Sequence, residues 1–203
     1  MPAANTNRTA SVQHHRTCIL HVPDLLPLAR LVAAGCDRHT TTSVCVSATE
    51  PLPLHALANV DACVVLLSSC HSDQDAAELN VQLEQLKIPT LFVSCGSERV
   101  RVGPWCHYGH TACLACVDSI SRCFADADTT RGRACQGLDD ADLAGLIENT
   151  FTAILARCSP LLDGAVLHHD GADRVEYVLK DPLCPVCSSW SRQPMETLYA
   201  QHG

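Results

Sequence analysis

Two cysteine pairs share the C-x-x-C spacing, Cys113-Leu-Ala-Cys116 and Cys184-Pro-Val-Cys187. A loop that bends back on itself brings two such thiolates onto one metal ion, and four thiolates complete a tetrahedral structural zinc site. Each pair follows an expected strand or turn, and Pro182 and Pro185 stiffen the second. The same spacing in a thioredoxin-like protein makes an exposed dithiol at a helix start, one thiolate having a lowered pKa. Cys184 and Cys187 fit that spacing as well, although no strand-helix unit follows them and the twin pair would stand idle. On a third reading all four are unremarkable thiols. His107 and His110 flank the first pair, either as substitute ligands or as surface histidines.

Other combinations of nucleophile and base are weaker. Cys70-His71 and Cys106-His107 are sequence neighbours, and neighbours in a strand point to opposite faces, so adjacency makes a poor dyad. Cys70 and His71 follow the expected central strand, where open α/β sheets commonly bind ligands. Asp139, Asp140 and Asp142 suit the start of a helix, whose macrodipole favours negative charge there. Trp105 and Trp190 each stand near a cysteine pair and are expected to cover the zinc site. Cys18, Cys36, Cys45, Cys63, Cys95 and Cys158 are expected to act as small core hydrophobes.

The elements that must position these residues follow from periodicity. Cys18–Val22 and Ser43–Ser47 read as strands around a helix that ends at Gly35, a unit that builds a parallel sheet. Asp61–Leu67 is a continuous branched apolar run, the pattern of a central strand buried on both faces. A helix over 74–87, capped by Ser72 or Asp73, leads to a strand over Pro89–Ser94. Glu98–Val102 alternates as a strand up to a break at Gly103-Pro104. The first cysteine pair leads into a short helix ending near Cys123, and 126–137 reads as a polar loop. An amphipathic helix over Asp139–Arg157 presents Leu143, Leu146, Ile147, Thr150, Phe151, Ile154 and Leu155. Two antiparallel strands, Ala165–His169 and Arg174–Lys180, surround a turn at Asp170-Gly171.

Composition narrows the function classes. The chain has 203 residues, 47% hydrophobic and 18% charged, enough for one domain with a sizeable core. Its net charge of −8 includes only two lysines, Lys87 and Lys180, and scattered arginines, so no nucleic-acid footprint is visible. No apolar run approaches the roughly 20 residues of a membrane span, and the first seventeen residues lack a secretory core. These features predict a soluble cytoplasmic protein, where 14 cysteines are not a disulfide scaffold.

The segment Val102-Gly-Pro-Trp-Cys-His-Tyr-Gly-His-Thr-Ala-Cys-Leu-Ala-Cys116 resembles the G-P, small turn, T-x-C-L-x-C signature of ThiF-like, ubiquitin-activating-type proteins of azole-forming peptide pathways. Lys180-Asp-Pro-Leu-Cys-Pro-Val-Cys187 resembles their closing H-P-x-C-P-x-C knuckle. The likeness runs from about Asp61 to Cys187 and weakly back to Cys18. It implies structural zinc on Cys113, Cys116, Cys184 and Cys187. It also implies a cyclodehydratase partner that captures the leader of a precursor peptide and presents it to a YcaO-type enzyme, and homodimerisation.

The chain departs from that pattern in two places. An adenylating member needs a glycine-rich turn after its first strand for the ATP phosphates. Here the turn is His21-Val-Pro-Asp-Leu-Leu-Pro27, without glycine, and only Glu50 stands where a ribose would be held. No ATP site is expected. The residues before Cys18 are too few for the winged-helix domain to which a leader adds a strand. A leader would have to use another edge, such as Glu98–Val102. The expected architecture is α/β: a tail over 1–16, a degenerate Rossmann-like parallel sheet over 17–102 and a zinc-knuckle subdomain over 103–203. The expected function is that of a shortened, non-adenylating scaffold with no catalytic or cofactor-binding residues, docking a precursor peptide, a YcaO-type enzyme or both. The alternatives are a thiol-dependent oxidoreductase or transferase using Cys184 and Cys187 or Cys70, and a zinc-stabilised binding module unrelated to peptide modification.

Overall fold

The computed structural model describes residues 15–36, 40–46, 52–68, 73–96, 99–124, 138–169 and 173–188. The expectations for the N-terminal tail, Glu50, Cys70-His71, the loop over 126–137, the turn at Asp170-Gly171 and Trp190 lie outside these residues.

The strands are β1 (Arg16–His21), β2 (Thr40–Cys45), β3 (Ala62–Ser68), β4 (Thr90–Cys95), β5 (Val100–Cys106), β6 (Ala165–His169) and β7 (Asp173–Tyr177). They form one sheet in the order β2-β1-β3-β4-β5-β6-β7. The first four run parallel, as the strand-helix-strand pattern predicts, and β5, β6 and β7 continue antiparallel. The sheet is therefore mixed, not wholly parallel. Residue 103, where the sequence reading begins its second part, lies inside β5.

The α-helices among the described residues are α1 (Leu26–Gly35), the single turn α2 (Leu54–Leu57), α3 (Asp73–Leu86), α4 (Leu114–Phe124) and α5 (Asp140–Leu155). The side chains of β3 alternate strictly between two cores. Cys63, Val65 and Leu67 meet Leu79 and Leu83 of α3 and Leu114 and Val117 of α4, whereas Ala62, Val64 and Leu66 meet α1 and α5. A strand buried on both faces reads as an unbroken apolar run because it has no wet side. Asp139 caps α5 by accepting from the Asp142 N–H at 2.8 Å, and Leu143, Ile147, Thr150, Phe151 and Ile154 form its buried stripe. Among the described residues no helix is long and apolar enough to cross a membrane.

Strand β5 differs most from expectation. It does not break at Gly103-Pro104 but runs through a cis Gly103-Pro104 peptide to Cys106. The register against β4 shifts by one residue between Leu91–Trp105 and Val93–Val102, which is a β-bulge. Gly103 has φ 115°, and a Cβ there would lie 3.2 Å from the Ala165 carbonyl oxygen and the Val166 Cα, so only glycine fits this approach of β6. One extra residue reverses the faces beyond it. Trp105 thereby joins the α1/α5 core with its ring edge-on to Phe151 at 6.3 Å, and Cys106 turns toward α4. Nor do Val100–Val102, the part of the expected leader-binding edge that lies in β5, form a free edge, because β5 lies between β4 and β6.

Candidate metal centre

The first cysteine pair is shaped by a helix start. Thr111 accepts from the His107 N–H at 2.8 Å and donates to the Trp105 carbonyl at 2.7 Å, which closes the loop that follows β5. The carbonyl of Cys113 then accepts from the N–H groups of Cys116 and Val117, so Cys113 opens α4 and Cys116 lies in its first turn. Residues three apart on a helix share a face, which aims both sulfurs the same way. The helix N-terminus also favours negative charge at this point.

The second pair is shaped by proline and aspartate. Asp181 accepts from the Leu183 N–H at 2.8 Å, its carbonyl accepts from the Cys184 N–H, and the Cys184 carbonyl accepts from the Ser188 N–H. The Ser188 hydroxyl donates to the Pro182 carbonyl. Lys180 reaches across to donate to the Gly109 carbonyl at 2.8 Å, which ties this turn to the loop of the first pair.

The four sulfurs converge although the two pairs are far apart in the chain. Cys113 Sγ lies 3.9 Å from Cys116 Sγ and 3.7 Å from Cys184 Sγ, and Cys116 Sγ lies 3.6 Å from Cys187 Sγ. All four ligand atoms lie within 4.8 Å of one another, and all four residues are buried. A disulfide needs sulfurs about 2.05 Å apart, whereas four thiolates about 2.3 Å from one zinc ion stand about 3.8 Å from each other. The observed separations match the second geometry. The donor set is all thiolate, which selects a soft or borderline ion.

The electrostatics agree. Contact with Cys113 and Cys187 holds the Cys116 thiol well below the usual thiol range. Its contacts with Cys116 and Cys187, together with burial, push Cys113 well above that range. Contact with Cys113 lowers Cys187, but contact with Cys116, burial and the Cys116 charge outweigh it and raise Cys187 to about 12. One thiolate thus opposes the ionisation of its neighbours. Four thiolates together require a cation, and the cluster could hold one.

Neighbours that the sequence reading missed complete the setting. Asn80 of α3, fully buried, donates from Nδ2 to Cys113 Sγ at 3.7 Å, and its Oδ1 accepts from the Tyr108 hydroxyl at 3.2 Å. Neither residue carries a spacing signal; only the position of Asn80 on the apolar face of α3, between Leu79 and Leu83, marks it as a polar group needing a buried partner. Trp105, expected to cover the site, is on the opposite side of the sheet for the reason given above. His107 and His110 face each other as tilted rings, 4.6 Å between centroids and 37° between planes, and are not part of the cluster.

The thiol alternatives meet obstacles. Cys184 and Cys187 are buried in a turn, and among the described residues no helix begins there. Cys106 is buried and its thiol is raised by burial, whereas His107 is exposed, so the two do not form a dyad. Of the cysteines expected in the core, Cys18, Cys36 and Cys63 are buried and Cys95 is half-buried. Cys45, on edge strand β2, and Cys158, after the end of α5, are exposed instead.

No protein-family model matches the sequence, and neither does any curated protein. Solved structures do match. The chain is similar to a heterocyclase determined in complex with substrate and cofactor, with TM-score 0.60, 14% identity and coverage of 89% of this chain and 26% of that one. It is similar to Escherichia coli MccB with TM-score 0.56, 14% identity and coverage of 86% and 58%. The heterocyclase TruD matches with TM-score 0.54, 13% identity and coverage of 94% and 32%. What is shared is the fold. In each case this chain spans less than two thirds of the other protein's length.

Proposed function

We propose that this chain is a ThiF-like accessory subunit in ribosomal peptide modification, with a degenerate Rossmann-like core and a structural zinc ion on Cys113, Cys116, Cys184 and Cys187. The observation that carries the reading is the convergence of these four thiols, in the order of the family's two knuckles, on a fold shared with two heterocyclases and MccB. Zinc would supply a fixed cross-link rather than reactivity. The protein's own part is to hold Cys113 and Cys116 at the start of α4 and Cys184 and Cys187 in the proline-stiffened turn. Together these fix the end of the described chain against α3 and α4 as a docking surface.

MccB has been determined with ATP and with MccA. For this chain we infer no ATP site. The turn after β1 lacks glycine, and Pro23 and Pro27 remove N–H donors at the start of the helical segment that would face a phosphate. The precursor peptide and a YcaO-type enzyme are therefore the proposed partners, and activation chemistry is left to the enzyme. Reconstitution tests this. The full chain is combined with a YcaO-type enzyme, a candidate precursor peptide and ATP, and loss of water from the precursor is followed by mass spectrometry. The reading predicts modification only when chain and enzyme are both present, with no pyrophosphate released by the chain alone. Equal modification without the chain, or pyrophosphate release by the chain itself, would contradict it.

A further inference from the structure

His21 and Cys45 are the last residues of β1 and β2 and are register partners across that parallel pair. Such partners project to the same face of the sheet, here the α1 face, on which Ile19 lies two residues before His21. Open α/β sheets commonly bind ligands at the carboxyl ends of their parallel strands. A cavity of about 400 Å³ opens there, lined by His21, Pro23, Leu26, Arg30, Ser43 and Cys45. Ser43 shares the face of Cys45, two residues on, and Leu26 and Arg30, four apart in α1, share a stripe of that helix.

The lining has the parts of a nucleophilic thiol site. His21 is 2% exposed, and its Nδ1 lies 3.0 Å from the Val22 carbonyl oxygen. A carbonyl only accepts, so Nδ1 carries the proton and the lone pair of the neutral ring is on Nε2. Nε2 has no hydrogen-bond partner among the described residues. Cys45 and Arg30 are exposed, and no carboxylate is among the lining residues. A base of fixed tautomer, a thiol and an unopposed cation thus line one cavity.

The surrounding backbone selects the electrophile. The N–H groups of Val22, Leu25, Leu26 and Val46 already donate to carbonyls, and Pro23 has none. Attack on an acyl carbon builds an oxyanion that needs such donors. Displacement at a disulfide sulfur builds none and needs only a thiolate and a proton for the leaving thiol. We infer that Cys45 is a thiol-modification site for a small disulfide that carries a carboxylate. The carboxylate pairs with Arg30. His21 Nε2 takes the Cys45 proton, directly or through one water, and the thiolate attacks one sulfur of the disulfide. A bond forms from Cys45 Sγ to that sulfur as the S–S bond breaks, and the departing thiolate receives the proton from His21. Cys45 is oxidised to a mixed disulfide and the other half of the reagent is reduced to a thiol, so no further oxidant enters. The site lies on the sheet face opposite the Cys113 cluster and does not rest on the function proposed above.

Oxidised glutathione is the probe, given to the full chain, with adducts located by mass spectrometry of an acid-quenched, non-reduced digest. Cys158, exposed after the end of α5 and outside the cavity, is the internal reference. Cys45 should be modified at least about ten-fold faster than Cys158. Arg30→Gln should slow modification of Cys45 by oxidised glutathione about ten-fold and leave its modification by uncharged hydroxyethyl disulfide unchanged, a split that loss of fold would not give. His21→Gln should slow both reagents at Cys45 and neither at Cys158. Equal rates at Cys45 and Cys158, or an Arg30→Gln chain that keeps its preference for oxidised glutathione, would overturn the proposal.

Discussion

Asn80 has both ends of its amide engaged around the thiol cluster, with Cys113 on one side and the Tyr108 hydroxyl on the other. A donor to a ligating sulfur orients it and offsets its charge, and removal of such a partner typically costs 10- to 100-fold in metal affinity. Asn80→Ala should therefore weaken zinc binding by about that factor in chelator competition, while zinc content at saturation is unchanged. Unaltered affinity would show that the cluster is held by its cysteines alone. At this scale the sequence is legible where spacing carries meaning. Cys113, Cys116, Cys184 and Cys187 stand out because two residues between thiols match the reach of a turn. Asn80 and Tyr108 do not, because contacts between α3 and the loop after β5 exist only once the sheet has formed. Cys45 and Cys158 show the reverse limit, since short apolar runs such as SVCV look alike in a buried and in an edge strand.

Among the elements, the β6–β7 hairpin has a built-in sensitivity to acid. His168 is buried between its strands, with Nε2 at 2.9 Å from Glu176 and Nδ1 without a partner among the described residues. Burial lowers its pKa below the ordinary 6.5, Arg174 and Arg101 add to this, and Glu176 opposes it only in part. The folded chain thus prefers neutral His168, so the unfolded chain binds more protons as pH falls through 6.5. The hairpin's contribution to stability is complete above that pH and is lost as pH falls toward the lower folded value. Thermal melts should show a decrease in Tm on the order of a few degrees over that window, and His168→Gln should flatten it. A melt independent of pH in both proteins would contradict this. Elements with one dominant period were readable: β3 from its apolar run, α5 from its stripe and cap, and the hairpin from its alternation. Strand β5 was not. A Gly-Pro step ordinarily ends a strand, and only the proximity of β6 and the bulge against Leu91–Val93 carry this one onward.

For the whole molecule, the parallel half of the sheet followed from strands alternating with helices, and the antiparallel half was visible only as an isolated hairpin. Its attachment through β5 is a long-range pairing that no local pattern specifies. The consequence is one sheet with two cores, in which α1 and α5 cover one face and α3, α4 and the thiol cluster cover the other. The cluster links a loop at the end of β5 to a turn beyond β7, so a metal ion there would fasten the antiparallel half to α3 and α4. Because binding to a site absent from the unfolded chain adds to folding stability, its loss should be felt across that face. The most direct test is zinc content per chain after anaerobic purification, with thiols titrated before and after chelation. The account predicts about one zinc per chain. Chelation should expose Cys113, Cys116, Cys184 and Cys187 to titration together with loss of the fold, and Cys184→Ser should lose both metal and stability. A metal-free chain whose C-x-x-C pairs cycle reversibly between dithiol and disulfide without change of fold would contradict it.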